Sequence, residues 1–168
     1  MMPPFQGGRA IMWTMALALQ AAVTVPRCPL DAPYDPRNPF AQILAGKAPA
    51  SIVAETPDMI ALVPIAWERP GHVLVIPRRA VRNLDDMTAT EMADALLLAR
   101  RIAAAQRRAF GNTGYVIQQN NGGGAQHVCH VHFHVIPNTP VEKVEHATPA
   151  QMEGMRARIV AALDASGD

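Results

Sequence analysis

Residues 130–135 read His-Val-His-Phe-His-Val. Strict alternation of this kind is the period of a β-strand, in which successive side chains point to opposite faces. His130, His132 and His134 therefore share one face, spaced by ~6.6 Å at strand rise. Val131, Phe133 and Val135 point into a core on the other face. Three imidazoles in a row are a costly surface to leave in solvent without a use. Their position inside the chain, with apolar residues interleaved, excludes an expression tag.

The rest of the chain supplies material for such a core. Of 168 residues, 49% are hydrophobic and 17% charged, which excludes bulk disorder and favours one domain. A formal net charge of +1 excludes a protein that wraps nucleic acid by charge alone. The two cysteines, Cys28 and Cys129, form no Cys-x-x-Cys pair, so neither a zinc ribbon nor a disulfide framework is expected.

Seven of the fifteen prolines fall in the first forty residues, around an apolar run from Ala10 to Val25. That run is shorter than the ~20 residues a spanning helix needs. It fits the core of a signal peptide, with Ala16-Leu17-Ala18 as a small-x-small cleavage site. A helix packed on the domain, or a start codon placed too early, would read the same way. Cytoplasmic location is the expectation, with export as the alternative if residues 10–25 are a signal. Pro26–Pro39 reads as an extended lead-in, and residues 1–30 are expected to be dispensable for turnover.

From Phe40 the pattern becomes globular. A short helix over Phe40–Leu44 precedes strands at Ser51–Glu55, Met59–Val63 and His72–Ile76, the last stopped by Pro77. Thr88 and Glu91 form a capping box that opens a helix whose apolar stripe is read as Met92, Leu96, Ala99, Ile102/Ala103 and Phe110. A strand at Tyr115–Gln119 leads into a polar, glycine-rich turn, Asn120–Gly124. The histidine strand extends from His130 to Ile136. Thr148 caps a last helix with Pro149 at its first position, and Met152, Met155, Ile159 and Leu163 line it.

Two chemistries suit the histidine face: metal ligation, or a nucleophilic imidazole with neighbours that orient it and hold an anion. No carboxylate lies between Asp94 and Glu142, and Cys129 has the wrong parity to join the three imidazoles. The preceding segment, Asn120-Asn-Gly-Gly-Gly-Ala-Gln126, is rich in donors. Backbone N–H groups and side-chain amides suit phosphate oxygens better than a cation. Phosphoryl chemistry is therefore the expectation.

Gln126-His-Val-Cys-His130-Val-His132-Phe-His134-Val-Ile-Pro137 resembles the signature of the histidine-triad (HIT) superfamily of nucleotide hydrolases and transferases. Asn38–Ala50 is similar to the family's first helix and loop, and Pro70-Gly-His72-Val-Leu-Val-Ile-Pro77 to the segment that supplies its fourth histidine. The resemblance covers roughly Asp35 to Pro137 and implies an α+β fold, a five-stranded antiparallel half-barrel with one long helix and a C-terminal helix. On it the chain divides into an extension over 1–34, a HIT domain over 35–140 and a helical tail over 141–168. It also implies a homodimer, a small nucleotide substrate, no cofactor, no nucleic-acid partner and no stable membrane association.

Carried over residue by residue, the resemblance makes His132 the nucleophile at the α-phosphorus. His130 would orient it through the backbone carbonyl, and His134 would contact phosphate oxygens. His72 would brace His130, while Gln126 and Asn120 would lie along the phosphate. The substrates implied are nucleoside phosphoramidates or dinucleoside polyphosphates. Some positions depart from the family. Asn38-Pro-Phe-Ala41 stands where many members have a zinc-binding Cys-x-x-Cys, so no structural zinc is expected. Pro64 stands where an acidic residue or Asn holds the ribose. His127 stands where Ser or Thr is usual, and is expected to matter less than Gln126. A zinc-dependent hydrolase using the triad as ligands, and a non-catalytic nucleotide-binding module, are the competing readings.

Overall fold

The computed structural model describes residues 28–165, so the apolar segment Ala10–Val25 lies outside the described residues. Five strands form one antiparallel sheet in the order β1-β2-β3-β5-β4. They are β1 (Ser51–Glu55), β2 (Met59–Val63), β3 (Val73–Pro77), β4 (Tyr115–Gln119) and β5 (Phe133–Pro137). Three helices accompany them: α1 (Pro39–Leu44), α2 (Ala89–Phe110) and α3 (Pro149–Asp164). The α+β half-barrel implied by the sequence is the fold observed.

The period-2 pattern divides the core in two. Met59, Ala61, Val63, Val73, Val75, Phe133 and Val135 form one cluster with Ala95, Ala99, Ile102 and Ile159 of the long helices. The alternate residues Ile60, Leu62, Leu74 and Ile76 form a second cluster with Phe40 of α1. The histidine side of β5 belongs to that second face, where Phe40 lies edge-on to His130 and His132. Both capping boxes are formed, Thr88 with Glu91 and Thr148 with Gln151.

The face of α2 follows the expected stripe except at Leu96: Ala99, Ile102 and Ala103 are buried, and Met92 and Phe110 pack against the same core. Leu96 is 48% exposed and Leu97 53%. The buried line also takes in Ala95, Leu98, Ala105 and Gln106. Small side chains let the helix approach the sheet closely, and the Gln106 amide then donates to the Gly71 and Val135 carbonyls at 2.7 and 2.9 Å. Periodicity alone could not choose between this line and one rotated to include Leu96.

The histidine strand also starts later than expected. Its ladder begins at Phe133, paired with Val75 of β3 and Gln119 of β4. Continued two residues, that register sets Pro77 opposite Val131. Pro77 has no N–H to donate, and Val131 bonds the Val81 carbonyl at 2.9 Å instead. His130 and His132 therefore lie on the extended approach to β5, off its ladder.

Cys28 and Cys129 are joined in a disulfide, with Cα atoms 5.3 Å apart. Two cysteines make no framework, yet this single bridge spans 101 residues and ties the lead-in to the residue before His130. The lead-in is thus part of the fold from Cys28 onward, inside the segment whose removal is expected to leave turnover unchanged. Chain-entropy arguments give a loop of this size several kcal/mol of stabilisation, and removal of native bridges costs about 2–5 kcal/mol. Purified protein is expected to show no free thiol when denatured without reductant. Reduction should lower unfolding free energy by about that amount in urea melts. Two reactive thiols in the untreated protein would contradict the bridge.

Candidate active site

The site is built where the approach to β5 passes between the ends of β3 and α1. His130 and His132 are buried, and His134 is half-buried at the start of the ladder. The His132 Nδ1 lies 2.7 Å from the His130 carbonyl. A carbonyl can only accept, so Nδ1 carries the proton and Nε2 keeps its lone pair. The Nε2 of His130 lies 3.0 Å from the Pro77 carbonyl, which by the same argument makes Nε2 the protonated nitrogen of that ring. The His132 ring also lies against that of His134, with centroids 5.0 Å apart.

The fourth histidine is in place, with a different partner from the one expected. The Nε2 of His72 lies 2.9 Å from Nδ1 of His134, and the two rings stack. His72 sits just before β3, whose residue Leu74 pairs with His134, so the two imidazoles are neighbours across adjacent strands. His130 is braced instead by the Pro77 carbonyl and by the hydroxyl of Tyr34, 2.6 Å from its Nδ1. Tyr34 was not among the residues singled out from the sequence. The resemblance offered no position for it, and a contact across 96 residues leaves no local pattern.

Gln126 and His127 exchange the places expected of them. The Gln126 side chain is turned inward and almost wholly enclosed. Its Oε1 accepts from the Gly122 N–H at 2.9 Å, and its Nε2 donates to the Arg82 and Val128 carbonyls at 2.7 and 3.1 Å. No donor remains for a substrate, so Gln126 shapes the loop. His127 is exposed and faces a cleft of about 560 Å³ shared with His72, His134, Gln118 and Asn120. The Asn120 Oδ1 accepts from the Gln118 amide at 3.0 Å, and both residues line that cleft. Pro64, buried at the end of β2, has no polar group for a ribose. Among the described residues no group of three or more His, Cys, Asp or Glu is arranged to hold a metal ion.

Burial governs the protonation of the histidines. It pushes His72 down to about 3, helped by the neighbouring His134 and His132. It pushes His130 and His134 each to about 4, and lowers His132 as well. The four are neutral near pH 7, so the His132 lone pair is available.

Two outcomes follow. From pH 6.5 down to 4.5 an unfolded chain takes up protons on these histidines and the folded chain does not. Stability must therefore fall on acidification across that window, by up to about 1.4 kcal/mol per pH unit for each group. Carboxylates held low, such as Glu91 at about 2 beside Arg79, add to the loss only below their ordinary value of 4.5. A thermal midpoint flat from pH 6.5 to 4.5 would contradict neutral, buried imidazoles. In the loop, Gln126→Ala should lower the unfolding midpoint, having removed a fully bonded buried amide worth about 1–3 kcal/mol. His127→Ala should leave that midpoint within about 0.5 kcal/mol of wild type.

Comparison with known proteins agrees with this geometry. The HIT domain family model matches residues 45–157. An adenosine 5′-monophosphoramidase of Schizosaccharomyces pombe is 37% identical over 99 residues, 58% of this chain and 71% of that protein. A bis(5′-adenosyl)-triphosphatase of Dictyostelium discoideum is 42% identical over 79 residues, 46% of this chain and 52% of that one. The crystal structure of a HIT-like protein from Bartonella henselae superposes with a TM-score of 0.73 at 33% identity, covering 78% of this chain and 99% of that one. With the four histidines converging as described, the chain belongs to the histidine-triad family, as a HIT-domain protein.

Proposed function

We propose that the protein is a nucleotide hydrolase or transferase that cleaves at the α-phosphate through a nucleotidyl-histidine on His132. The observation that carries this is the 2.7 Å bond from His132 Nδ1–H to the His130 carbonyl, which fixes the tautomer with Nε2 bare. The named activities of the phosphoramidase and triphosphatase relatives support the substrate class, nucleoside phosphoramidates or dinucleoside polyphosphates.

In this reading the Nε2 lone pair attacks the α-phosphorus and a P–N bond to His132 forms. The bond to the leaving amine or phosphate breaks with its electron pair, and the leaving group takes up a proton. His127, at the open side of the cleft, is the side chain suited to supply it. Water then attacks the same phosphorus and gives up a proton to His127, the P–N bond to His132 breaks, and the nucleoside monophosphate leaves. His134 and Asn120 line the cleft, and an imidazole nitrogen and an amide suit the equatorial oxygens. No cofactor enters this scheme. The absence of a polar group at Pro64 leaves the ribose to contacts elsewhere, which favours selection by leaving group over selection by sugar.

We also propose that the working form is a homodimer. β4 is an edge strand with Tyr115 and Val116 exposed, and α2 exposes Leu96 and Leu97. An open apolar edge is a liability that a second copy would cover.

The test is a hydrolysis panel of adenosine 5′-phosphoramidate, diadenosine triphosphate and diadenosine tetraphosphate in EDTA. Wild type should turn over at least one of them. His132→Asn should lose on the order of 10³-fold or more in kcat while still binding AMP. Rapid quenching should trap an acid-labile adduct on His132 in wild type only. Turnover by His132→Asn within about tenfold of wild type would overturn the nucleophile assignment. Activity abolished by EDTA would favour the zinc-hydrolase reading, and tight AMP binding with no turnover would favour a binding module.

A further inference from the structure

We propose that Tyr34 is a positioning residue for the triad, locked onto His130 by the Cys28–Cys129 disulfide, so that the site is complete only in the oxidised protein. The effect on turnover rests on the function proposed above; the placement of Tyr34 does not.

The hydrogen-bond logic around His130 leaves one solution. Its Nε2 faces the Pro77 carbonyl at 3.0 Å and must donate. Its Nδ1 therefore holds a lone pair, and the Tyr34 hydroxyl at 2.6 Å must be the donor. Burial raises the Tyr34 phenol above its ordinary range, which keeps that donor protonated. With both nitrogens engaged, the imidazole cannot turn without losing a bond. Phe40 closes a further side of the ring, edge-on at 6.0 Å between centroids. The His130 carbonyl that receives His132 Nδ1–H belongs to the same residue, so a ring fixed in this way restrains the backbone on which the nucleophile hangs.

Tyr34 reaches this place because the lead-in is anchored on both sides of it. On the far side Asn38 caps α1 and bonds the Asp35 carbonyl at 2.7 Å. On the near side the disulfide joins Cys28 to Cys129, the neighbour of His130. Between them the Leu30 carbonyl accepts from Arg82 Nη1 at 2.6 Å. The Leu30 side chain lies over Gly122, where a Cβ would fall 2.9 Å from Leu30 Cδ2 and where φ is +58°. The lead-in thus bears on both the histidine segment and the loop that Gln126 shapes. It lies ahead of residue 45, where the family match begins. The other end of its tether, Cys129, lies inside the matched residues.

Breaking the bridge with tris(2-carboxyethyl)phosphine converts the disulfide to two thiols as the phosphine becomes its oxide. The near side of the lead-in then keeps the bonds of the Leu30 carbonyl to Arg82 and Asn83 and loses its covalent tie. Such a dependence suits an oxidising compartment, where a bridge of this kind persists.

The experiment compares wild type, Tyr34→Phe, the double variant Cys28→Ser/Cys129→Ser and the triple variant. Each is assayed with adenosine 5′-phosphoramidate well below its unfolding midpoint, with and without the phosphine. Tyr34→Phe keeps the ring and loses the donor, and should lower kcat about tenfold with KM within about twofold. Reduction, or the two serines, should lower wild-type kcat by a similar factor and add nothing to Tyr34→Phe. The ¹⁵N resonance of His130 Nδ1 should move in Tyr34→Phe and on reduction, while that of His132 Nδ1 keeps its protonated character. Unchanged kcat in Tyr34→Phe, or an unmoved His130 resonance, would overturn the role of Tyr34. An equal further loss when Tyr34→Phe is reduced would show that the disulfide acts by another route, and would overturn the coupling. If wild type turns over none of the panel substrates, the function proposed above fails, and the His130 resonance alone decides the tyrosine.

Discussion

The site depends on a carbonyl that the sheet does not use. The His130 C=O accepts from His132 Nδ1 because the β5 ladder begins only at Phe133. Pro77, opposite Val131 by register, has no N–H with which to extend the pairing. Its own carbonyl takes the His130 ring instead. One proline at the end of β3 thus releases three residues from the ladder, directs Val131 N–H to Val81, and leaves the His130 carbonyl to bond His132 within the triad. A strand that ran on unbroken would have engaged those groups in neighbour pairing. The alternation of side chains would survive, but the tautomer of His132 would have no fixed partner.

That single bond acts together with burial. A histidine in water is partly charged near neutral pH and a poor nucleophile in that fraction. Here burial lowers all four imidazoles, with Phe40 edge-on to His130 and His132. The same enclosure puts a penalty on acidification, since an unfolded chain binds protons that the folded one refuses. Neutral imidazoles at neutral pH and weakness in acid therefore have one cause. They cannot be separated by substitution at the triad, because whatever opens the site to raise acid tolerance also lets His132 take up a proton.

Much of the fold was legible in the sequence for the reason that period and punctuation are local. Strands at Ser51–Glu55, Met59–Val63 and Tyr115–Gln119, and the helices capped by Thr88 and Thr148, follow from alternation, capping boxes and prolines. The triad face followed from parity. Parity assigns faces, however, and leaves partners open. His72 was placed beside the triad correctly and given the wrong neighbour, because the register that sets Leu74 against His134 is a property of the folded sheet. Gln126 carries the family's motif and was read as a ligand group, whereas the loop turns it inward onto Gly122, Arg82 and Val128. Leu96 fits the helical period and lies outside, at the margin of a stripe whose Ala99, Ile102 and Ala103 are buried. Cys28 and Tyr34 were beyond reach: their partners stand 101 and 96 residues away, and no local pattern encodes either contact.

These non-local contacts change what the first part of the chain is for. A segment rich in proline resists regular structure and holds little entropy to lose, so it can be laid across a surface by few bonds. Two anchors suffice here, the Asn38 cap and the Cys28–Cys129 bridge, and the chain between them delivers one hydroxyl to one imidazole. The cost of holding Tyr34 in place falls on the unfolded state, which the bridge restricts, and not on the packing of the core. His130 can therefore acquire a second brace without any change to the sheet, α2 or the family signature. The brace shares a covalent bond with the segment it steadies, so loss of the bridge would weaken the fold and loosen the support of His132 together.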